Sequence, residues 1–487
     1  MKRLYLDYAA TTPVDPAVLR AMQPYFAKQY GNPGSLHSFG QEAIAAVDHS
    51  REIIAKAIGA DFREIIFTGS ATEANNLALR GAVKAFAHQR ITNHFRINEF
   101  ANSQKIRYSL MKSRIIVSTI EHESIMETAR DLEREGVEVV YVPVNREGIV
   151  DLKKLKSALD ERTILVSVMY ANNEIGTIEP IQEISKIIRE FSSTNNESFT
   201  NKRIYGEPRR IIRKFAANSI FADGYPLFHT DAAQAFRFLD CSVDKLGADL
   251  MTISSHKIYG PKGIGALFVR QKLEIRNKKM RNYIKEKDPI SNFQFPISPV
   301  ITGGGQEFGL RSGTENVPSI VGFAKAVEIA SSIKHQESRR ITEIRDYFWR
   351  GLKKIYPKAE VNGINPSTNN ESETNKRIRP PAFELPKASR AGKFAADSLS
   401  ADRLPNILNI YFPNHSAQDL LVKFDLAGIA VSAGSACKAR AVLPSYTIEA
   451  TGYSKERAEN SIRFSFGRPT TKKEIDKALK IIRKLLK

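Results

Sequence analysis

Asp249-Leu250-Met251-Thr252-Ile253-Ser254-Ser255-His256-Lys257-Ile258-Tyr259-Gly260-Pro261-Lys262-Gly263, running on to Gly265-Ala266-Leu267-Phe268-Val269, is the stretch on which the reading of this chain turns. Two short apolar runs flank a segment of hydroxyls, a histidine, a lysine and glycines. Apolar runs of this length, bounded by turn residues, predict buried strands, so Lys257 falls just past a strand end. A lysine in that setting suits a Schiff base to a carbonyl cofactor lying beside a phosphate. A lysine in an ordinary surface turn is the plain alternative, and the segments around it weigh between the two.

Outward from this stretch the same grammar repeats. Ile65-Ile66-Phe67, Arg114-Ile115-Ile116-Val117-Ser118 and Thr163-Ile164-Leu165-Val166-Ser167-Val168 predict buried strands. Val137 to Val142, β-branched and aromatic with one acid, predicts a strand nearer an edge. Helical patterns at Leu152 to Leu159 and Ile181 to Phe191 are interleaved with them. Strands alternating with helices predict an α/β chain whose mostly parallel sheet is covered on both faces. Ligands of such sheets gather at the carboxyl ends of the strands. Two segments belong there. Phe67-Thr68-Gly69-Ser70-Ala71-Thr72-Glu73-Ala74-Asn75-Asn76 runs from strand to helix and leaves backbone N–H groups free for an anion. His229-Thr230-Asp231-Ala232-Ala233-Gln234 puts an acid just past Leu227-Phe228, where it suits a pyridine nitrogen, although Asp231 also fits a helix N-cap.

The 487 residues imply two or three domains, or one large α/β domain with a smaller partner. No run approaches the roughly 18 apolar residues of a membrane span. Met1 to Asp7 meets an acid before any apolar signal core builds, so neither a secretory nor a transit segment is expected. The cysteines, Cys241 and Cys437, give no disulfide framework, and a cytoplasmic location is expected. The formal charge of +20 suggests a nucleic-acid footprint, but segments 91–113, 192–224, 275–298 and 366–403 carry about +12 of it. Those four stretches look unlike the rest of the chain. A generic surface bias therefore accounts for the charge, and nucleic acid is not the expected partner.

Two of them share sequence. Ser193 to Ile204 reads S-T-N-N-E-S-F-T-N-K-R-I and Ser367 to Ile378 reads S-T-N-N-E-S-E-T-N-K-R-I. Lys214-Phe215-Ala216-Ala217 and Lys393-Phe394-Ala395-Ala396 echo each other downstream, and Glu99 to Ser103 is a fainter copy. A solenoid would repeat at a fixed period with a packed unit each time. These copies are scattered, polar and poor in core-forming residues, so they are expected to be inserted at loops and weakly structured. The 275–298 segment is basic but shares no repeat.

From Leu4-Tyr5-Leu6-Asp7-Tyr8-Ala9-Ala10-Thr11-Thr12-Pro13 to Gly467-Arg468, outside the inserts, the chain resembles the group I (NifS/IscS-like) cysteine desulfurases. The combination of S-x-H-K-x-x-G-P-K-G at Ser254 to Gly263 with S-x-G-S-A-C at Ser432 to Cys437 carries the resemblance. It implies the fold-type I architecture of pyridoxal 5'-phosphate enzymes. That is a large domain with a mostly parallel seven-stranded sheet, a smaller α/β domain and a homodimer. The large domain is expected over 14–298, with inserts near 91–113, 192–224 and 275–298. Residues 1–13 and 299–487 would form the small domain, with an insert near 366–403.

The resemblance also assigns roles. Lys257 carries the cofactor, Asp231 meets its pyridine nitrogen, and His122, in Ile120-Glu121-His122-Glu123-Ser124, stacks on the ring and moves protons. Asn173 and Gln234 flank the phenolic oxygen. Ala71, Thr72, Ser254 and His256 match the phosphate site, and Thr314 a residue reaching the other subunit's phosphate. Asn32 and Arg463 match the residues that hold the substrate carboxylate, a task suited to a guanidinium fork. Cys437 ends a run of small residues and is followed by Lys438 and Arg440, which favour the thiolate. The resemblance makes it the nucleophile that takes sulfur from L-cysteine as a persulfide. Cys241, in Leu239-Asp240-Cys241-Ser242-Val243, fits an inert buried thiol.

Some positions depart from the family pattern: Asn75 for a frequent Asp, Ser255 for a frequent Gly, and Leu443 for a frequent Glu. The sequence ends at Lys487 without the tail by which housekeeping members engage an iron–sulfur scaffold, so the sulfur acceptor is expected only as a class. Two other functions stay open at this point. One is a related lyase acting on selenocysteine or cysteine sulfinate. The other is a decayed enzyme scaffold that binds nucleic acid through its basic inserts.

Overall fold

The computed structural model of the chain describes residues 3–94, 113–201, 225–271, 295–366, 403–434 and 444–486. After a two-residue strand β1 (Leu4–Tyr5), the large sheet is built from β2 (Ile65–Thr68), β3 (Arg114–Ser118), β4 (Glu138–Val142), β5 (Thr163–Ser167), β6 (Leu227–Asp231), β7 (Leu250–Ser254) and β8 (Gly265–Val269). Its order is β2-β8-β7-β6-β5-β3-β4. Only β8 runs against its neighbours, and the remaining pairs are parallel. This is the expected α/β class with a seven-stranded, mostly parallel sheet.

Burial follows from position. β5, β6, β7 and β8 are buried along their whole length, as strands covered on both faces must be. β4 lies at the edge and is only partly buried from Glu138 to Tyr141, which is why an acid and a phenol are accommodated there. The helix Ser38–Ile58 buries Ala43, Val47, Ile54 and Ile58 at helical spacing against one face, and Gly59 ends it in the left-handed conformation at φ 71°.

Two expected insert segments begin inside helices. The helix after β2 spans Ala71–His94 and the one after β5 spans Ile181–Asn201. The leading parts of the 91–113 and 192–224 segments, including most of the first repeat copy, are therefore helical rather than loop. Nothing in Ile91-Thr92-Asn93-His94 or in Ser192 to Asn201 is a glycine or proline, so the preceding helices meet no stop signal there. The rest of those segments, and most of 275–298 and 366–403, lies outside the described residues.

A second, smaller layer follows. β9 (Glu360–Val361), β10 (Ile407–Tyr411) and β12 (Ser461–Ser465) form an antiparallel sheet in the order β12-β10-β9, while β1 pairs in parallel with β11 (Ile429–Ala430). The first residues of the chain thus join its carboxyl-terminal part. The helix Val317–Ile355 serves both layers. It starts at an Asn316 cap that accepts from Ser319 N, with a proline in its first turn. Its residues Val317 to Ala330 pack into the core beneath the large sheet, and Ile341 to Leu352 into the core of the small one. In packing terms the cores part within this helix, and the domain division is proposed to fall there rather than at residue 298.

The described flanks of 95–112, 202–224 and 272–294 all stand at one end of the large sheet. The first two precede the parallel strands β3 and β6, and the third follows the antiparallel β8. That is the end opposite the strands' carboxyl termini. Removing 203–222 and 368–401 together, with short Gly/Ser linkers, should leave a cooperatively unfolding protein whose Tm changes by no more than about 5 °C. Calorimetry checks this, and a deletion protein without a cooperative transition would show that these segments are structural.

Candidate active site

The carboxyl ends of β2, β5, β6 and β7 open onto one pocket. Beyond β2 the chain turns at Ser70 into the helix starting at Ala71, and Ala71 and Thr72 form the pocket's rim. β8 begins against this helix start: a Cβ on Gly265 would stand 2.8 Å from Ala71 N, so only glycine permits the approach. The helix's first N–H groups are suited to an anion. Ser254, the last residue of β7, lines the same pocket, and its buried Oγ has no hydrogen-bond partner among the described residues. An orphaned hydroxyl beside a helix N-terminus fits the phosphate of a cofactor.

Lys257 follows within the short 3-10 turn Ser255–Lys257. Its Nζ donates to Ala9 O at 2.6 Å and Ala10 O at 2.9 Å. Gln234 Nε2 also donates to Ala9 O, at 2.9 Å. His256 Nδ1 lies 3.1 Å from Thr11 Oγ1, and burial together with the nearby Lys257 ammonium pushes its pKa down to about 4. It is therefore a neutral ring at physiological pH. Tyr259 clamps the lysine loop: its N–H donates to Thr12 Oγ1 at 2.8 Å, and its hydroxyl accepts from Arg237 Nη2 and from Arg468 N.

Asp231 ends β6 with its carboxylate turned into the pocket. Oδ1 accepts from Ala233 N at 2.9 Å and Oδ2 from Asn75 Nδ2 at 2.8 Å. A residue that bonds its own backbone two positions on and faces a cavity is more than a cap.

His122 is the N-cap of the helix Glu123–Arg134. Ser124 N–H donates to its Nδ1 at 3.1 Å, and Ser124 Oγ lies 2.9 Å from the same atom. A backbone N–H can only donate, so Nδ1 carries no proton, and the neutral ring holds its proton on Nε2. Burial lowers the His122 pKa; Asp231 opposes that shift and Lys257 reinforces it.

Opposite these groups stands Arg463, on β12 of the small sheet. Its Nη1 donates to Asn173 O and its Nη2 to Asp7 Oδ1, both at 2.8 Å. A buried guanidinium at a pocket wall suits a carboxylate. Asn173 itself lines the pocket from the turn after β5.

The pocket thus gathers Ala71, Thr72, His122, Asn173, Asp231 and Gln234 with Ser254, His256, Lys257 and Arg463. Asn32 and Thr314 are exposed and do not line it in a single chain. Cys437 lies outside the described residues, as do Lys438, Arg440 and Leu443. The described flanks, Gly434 and Ser445, meet each other: a Cβ on Gly434 would lie 3.5 Å from Ser445 Cβ and 3.1 Å from Glu174 Oε2. Ser445 Oγ donates to that same Glu174 oxygen. Motif reading missed the carbonyls of Ala9 and Ala10, the Asp7–Arg463 pair and the Asn75–Asp231 bond. The quoted Asp7-Tyr8-Ala9-Ala10-Thr11-Thr12 run held the only signal for the first two.

A family model of class-V aminotransferases matches residues 4–103, 90–194, 220–379 and 390–478. The chain belongs to that family. A cysteine desulfurase IscS of Dictyoglomus turgidum is 38% identical over 487 residues, spanning 100% of this chain and 95% of the relative. One from Rickettsia rickettsii is 36% identical over 480 residues, spanning 98% and 90%. The solved structure of a NifS-like protein has a TM-score of 0.71 at 30% identity and covers 99% of each chain. Within the family, the chain stands with the IscS/NifS-like cysteine desulfurases.

Cys241 is buried and its pKa is pushed up to about 12 by desolvation. Native protein at pH 8 should resist alkylation at Cys241 and become alkylated there in denaturant, as peptide mass spectrometry would reveal. Rapid native labelling of Cys241 would contradict the packing described.

Proposed function

We infer that this chain is a pyridoxal 5'-phosphate-dependent cysteine desulfurase, which takes sulfur from L-cysteine, releases L-alanine and passes the sulfur to an acceptor. The convergence of Lys257, Asp231, His122 and Arg463 on one pocket carries the reading.

Bound pyridoxal phosphate supplies a ring that draws electrons from the bonds at the substrate's α-carbon. Around it, Lys257 would be the covalent attachment, and the Ala9 and Ala10 carbonyls accept from its Nζ. The Asp231 carboxylate would hold a proton at the pyridine nitrogen. Asn173 and Gln234 are the partners proposed for the phenolic oxygen; Ala71, Thr72, Ser254 and His256 hold the phosphate. Arg463 binds the substrate carboxylate through both oxygens, with Asn32 as second donor. His122 exchanges protons through Nε2, its Nδ1 being engaged by Ser124.

The sulfur step falls to Cys437. Its thiolate attacks the substrate sulfur: an S–S bond forms, the C–S bond breaks, and the electron pair passes to the carbon skeleton, which is protonated and leaves as L-alanine. The meeting of Gly434 and Ser445 at Glu174, next to the pocket residue Asn173, supports this assignment because the segment between them starts and ends beside the substrate site.

A homodimer is proposed because Thr314, matched to a residue reaching the other subunit's phosphate, is exposed and does not line the pocket of its own chain. The proposed acceptor is a protein of the iron–sulfur scaffold kind, and the proposed location is the cytoplasm. Among the described residues, no helix is long and apolar enough to cross a membrane.

Sulfide and alanine release from L-cysteine under reducing conditions tests the reading. Lys257→Ala should lose borohydride-trappable cofactor and at least ~100-fold of the activity. Cys437→Ser should keep the bound cofactor and its response to L-cysteine yet release no sulfur. Mass spectrometry should find the added sulfur on the Cys437 peptide. Sulfur release that survives Cys437→Ser would instead favour a selenocysteine or cysteine sulfinate lyase.

A further inference from the structure

Asn75 is completely buried, near the start of the helix Ala71–His94. Its Nδ2 makes two hydrogen bonds of 2.8 Å, one to Asp231 Oδ2 and one to Ser124 Oγ. Its Oδ1 has no partner among the described residues. Asp231, as a carboxylate, only accepts, which fixes the amide with its NH2 toward Asp231 and Ser124. Both useful atoms of this side chain are donors, and the acceptor is left idle.

The direction of one bond sets the next. The Ser124 hydroxyl has a single hydrogen and here accepts from Asn75, so its own hydrogen is free for His122 Nδ1, 2.9 Å away. Ser124 N–H donates to the same nitrogen. The chain therefore runs one way, from Asn75 through Ser124 to His122, and a second branch of the same amide holds Asp231.

We propose that Asn75 is a positioning residue that points the Ser124 hydroxyl at His122, adding a second donor at Nδ1 beside the Ser124 N–H and so reinforcing the tautomer with its proton on Nε2, the nitrogen left for the pocket. This rests on the reading of His122 as the proton-moving group. One amide then serves both ends of the chemistry, orienting the acid at the pyridine nitrogen and the tautomer of the acid–base histidine.

Replacing the donor by an acceptor reverses the chain. In Asn75→Asp the new carboxylate accepts from Ser124, drawing the hydroxyl hydrogen off His122 Nδ1. It also faces Asp231, so the two acids share one proton between them. His122 loses a donor that opposed protonation of Nδ1, while the net charge of the pair at 75 and 231 stays the same. Its pKa moves up. The groups facing the imidazole in every variant are Asp231, Lys257, Glu123, Arg463 and His256.

The test is NMR of ring-labelled histidines in the holoenzyme, with the His122 signal identified by its loss in His122→Gln. The unaltered protein should show a neutral His122 with its proton on Nε2. Asn75→Asp should raise the His122 pKa by about one pH unit or more, a tenfold gain in proton affinity. Asn75→Leu, which removes the donors without supplying an acceptor that draws the hydroxyl hydrogen away, should raise it less. Ser124→Ala combined with Asn75→Asp should give less than the sum of the single changes, because the hydroxyl is the link. If Asn75→Asp does not fold, Asn75→Leu carries the measurement. An unchanged His122 titration in the folded Asn75 variants, or strict additivity in the double variant, overturns the proposal. Neither outcome depends on turnover, so failure here is distinguishable from absence of desulfurase activity in the unaltered enzyme.

Discussion

Six residues near the amino terminus, Asp7 to Thr12, tie the two layers of this protein together at the pocket. Asp7 pairs with Arg463 on the small sheet, while the carbonyls of Ala9 and Ala10 receive Lys257 from the large one. Thr12 Oγ1 donates to His256 O and accepts from Tyr259 N. Remove that strap and the lysine and arginine lose their common reference. An ammonium from one layer and a guanidinium from the other are thus held facing the same pocket by one short run of chain.

Buried ion pairs reinforce the frame around the strap. Arg51 and Glu307 pair through both oxygens at 2.7 and 2.9 Å, and Glu307 also takes Phe67 N at the end of β2. Arg237 meets Glu337 at 2.6 Å and stacks on Tyr259, while Arg468 reaches both Glu337 and Asp15. Glu337 lies in the long helix Val317–Ile355, so this second network joins that helix to the lysine loop. Losing one member of such a pair would leave an uncompensated buried charge, which is far more costly than the pair's net contribution.

The sequence made the strands and the principal groups legible because each is encoded within about ten consecutive residues. Lys257 after its strand, Asp231 after Leu227-Phe228 and His122 before a helix all carry a local pattern. The contacts that orient them do not. Asn75 and Asp231 are 156 positions apart, and Asp7 and Arg463 are 456 apart, so no window contains both partners. Helix extent was misjudged for a related reason. Composition argued for loops at 192–201, yet nothing there breaks a helix already under way, and local breakers rather than average polarity decide where a helix stops.

The large sheet has two ends with unequal freedom. Its carboxyl end holds the pocket side chains within hydrogen-bond length of their partners. At the other end stand the described flanks of three long, repeat-bearing or basic segments, a full strand length from the chemistry. The described residues at this end include none that line the pocket, so chain added there has no pocket side chain to displace. The same face is therefore the place at which to graft an engineered peptide fusion.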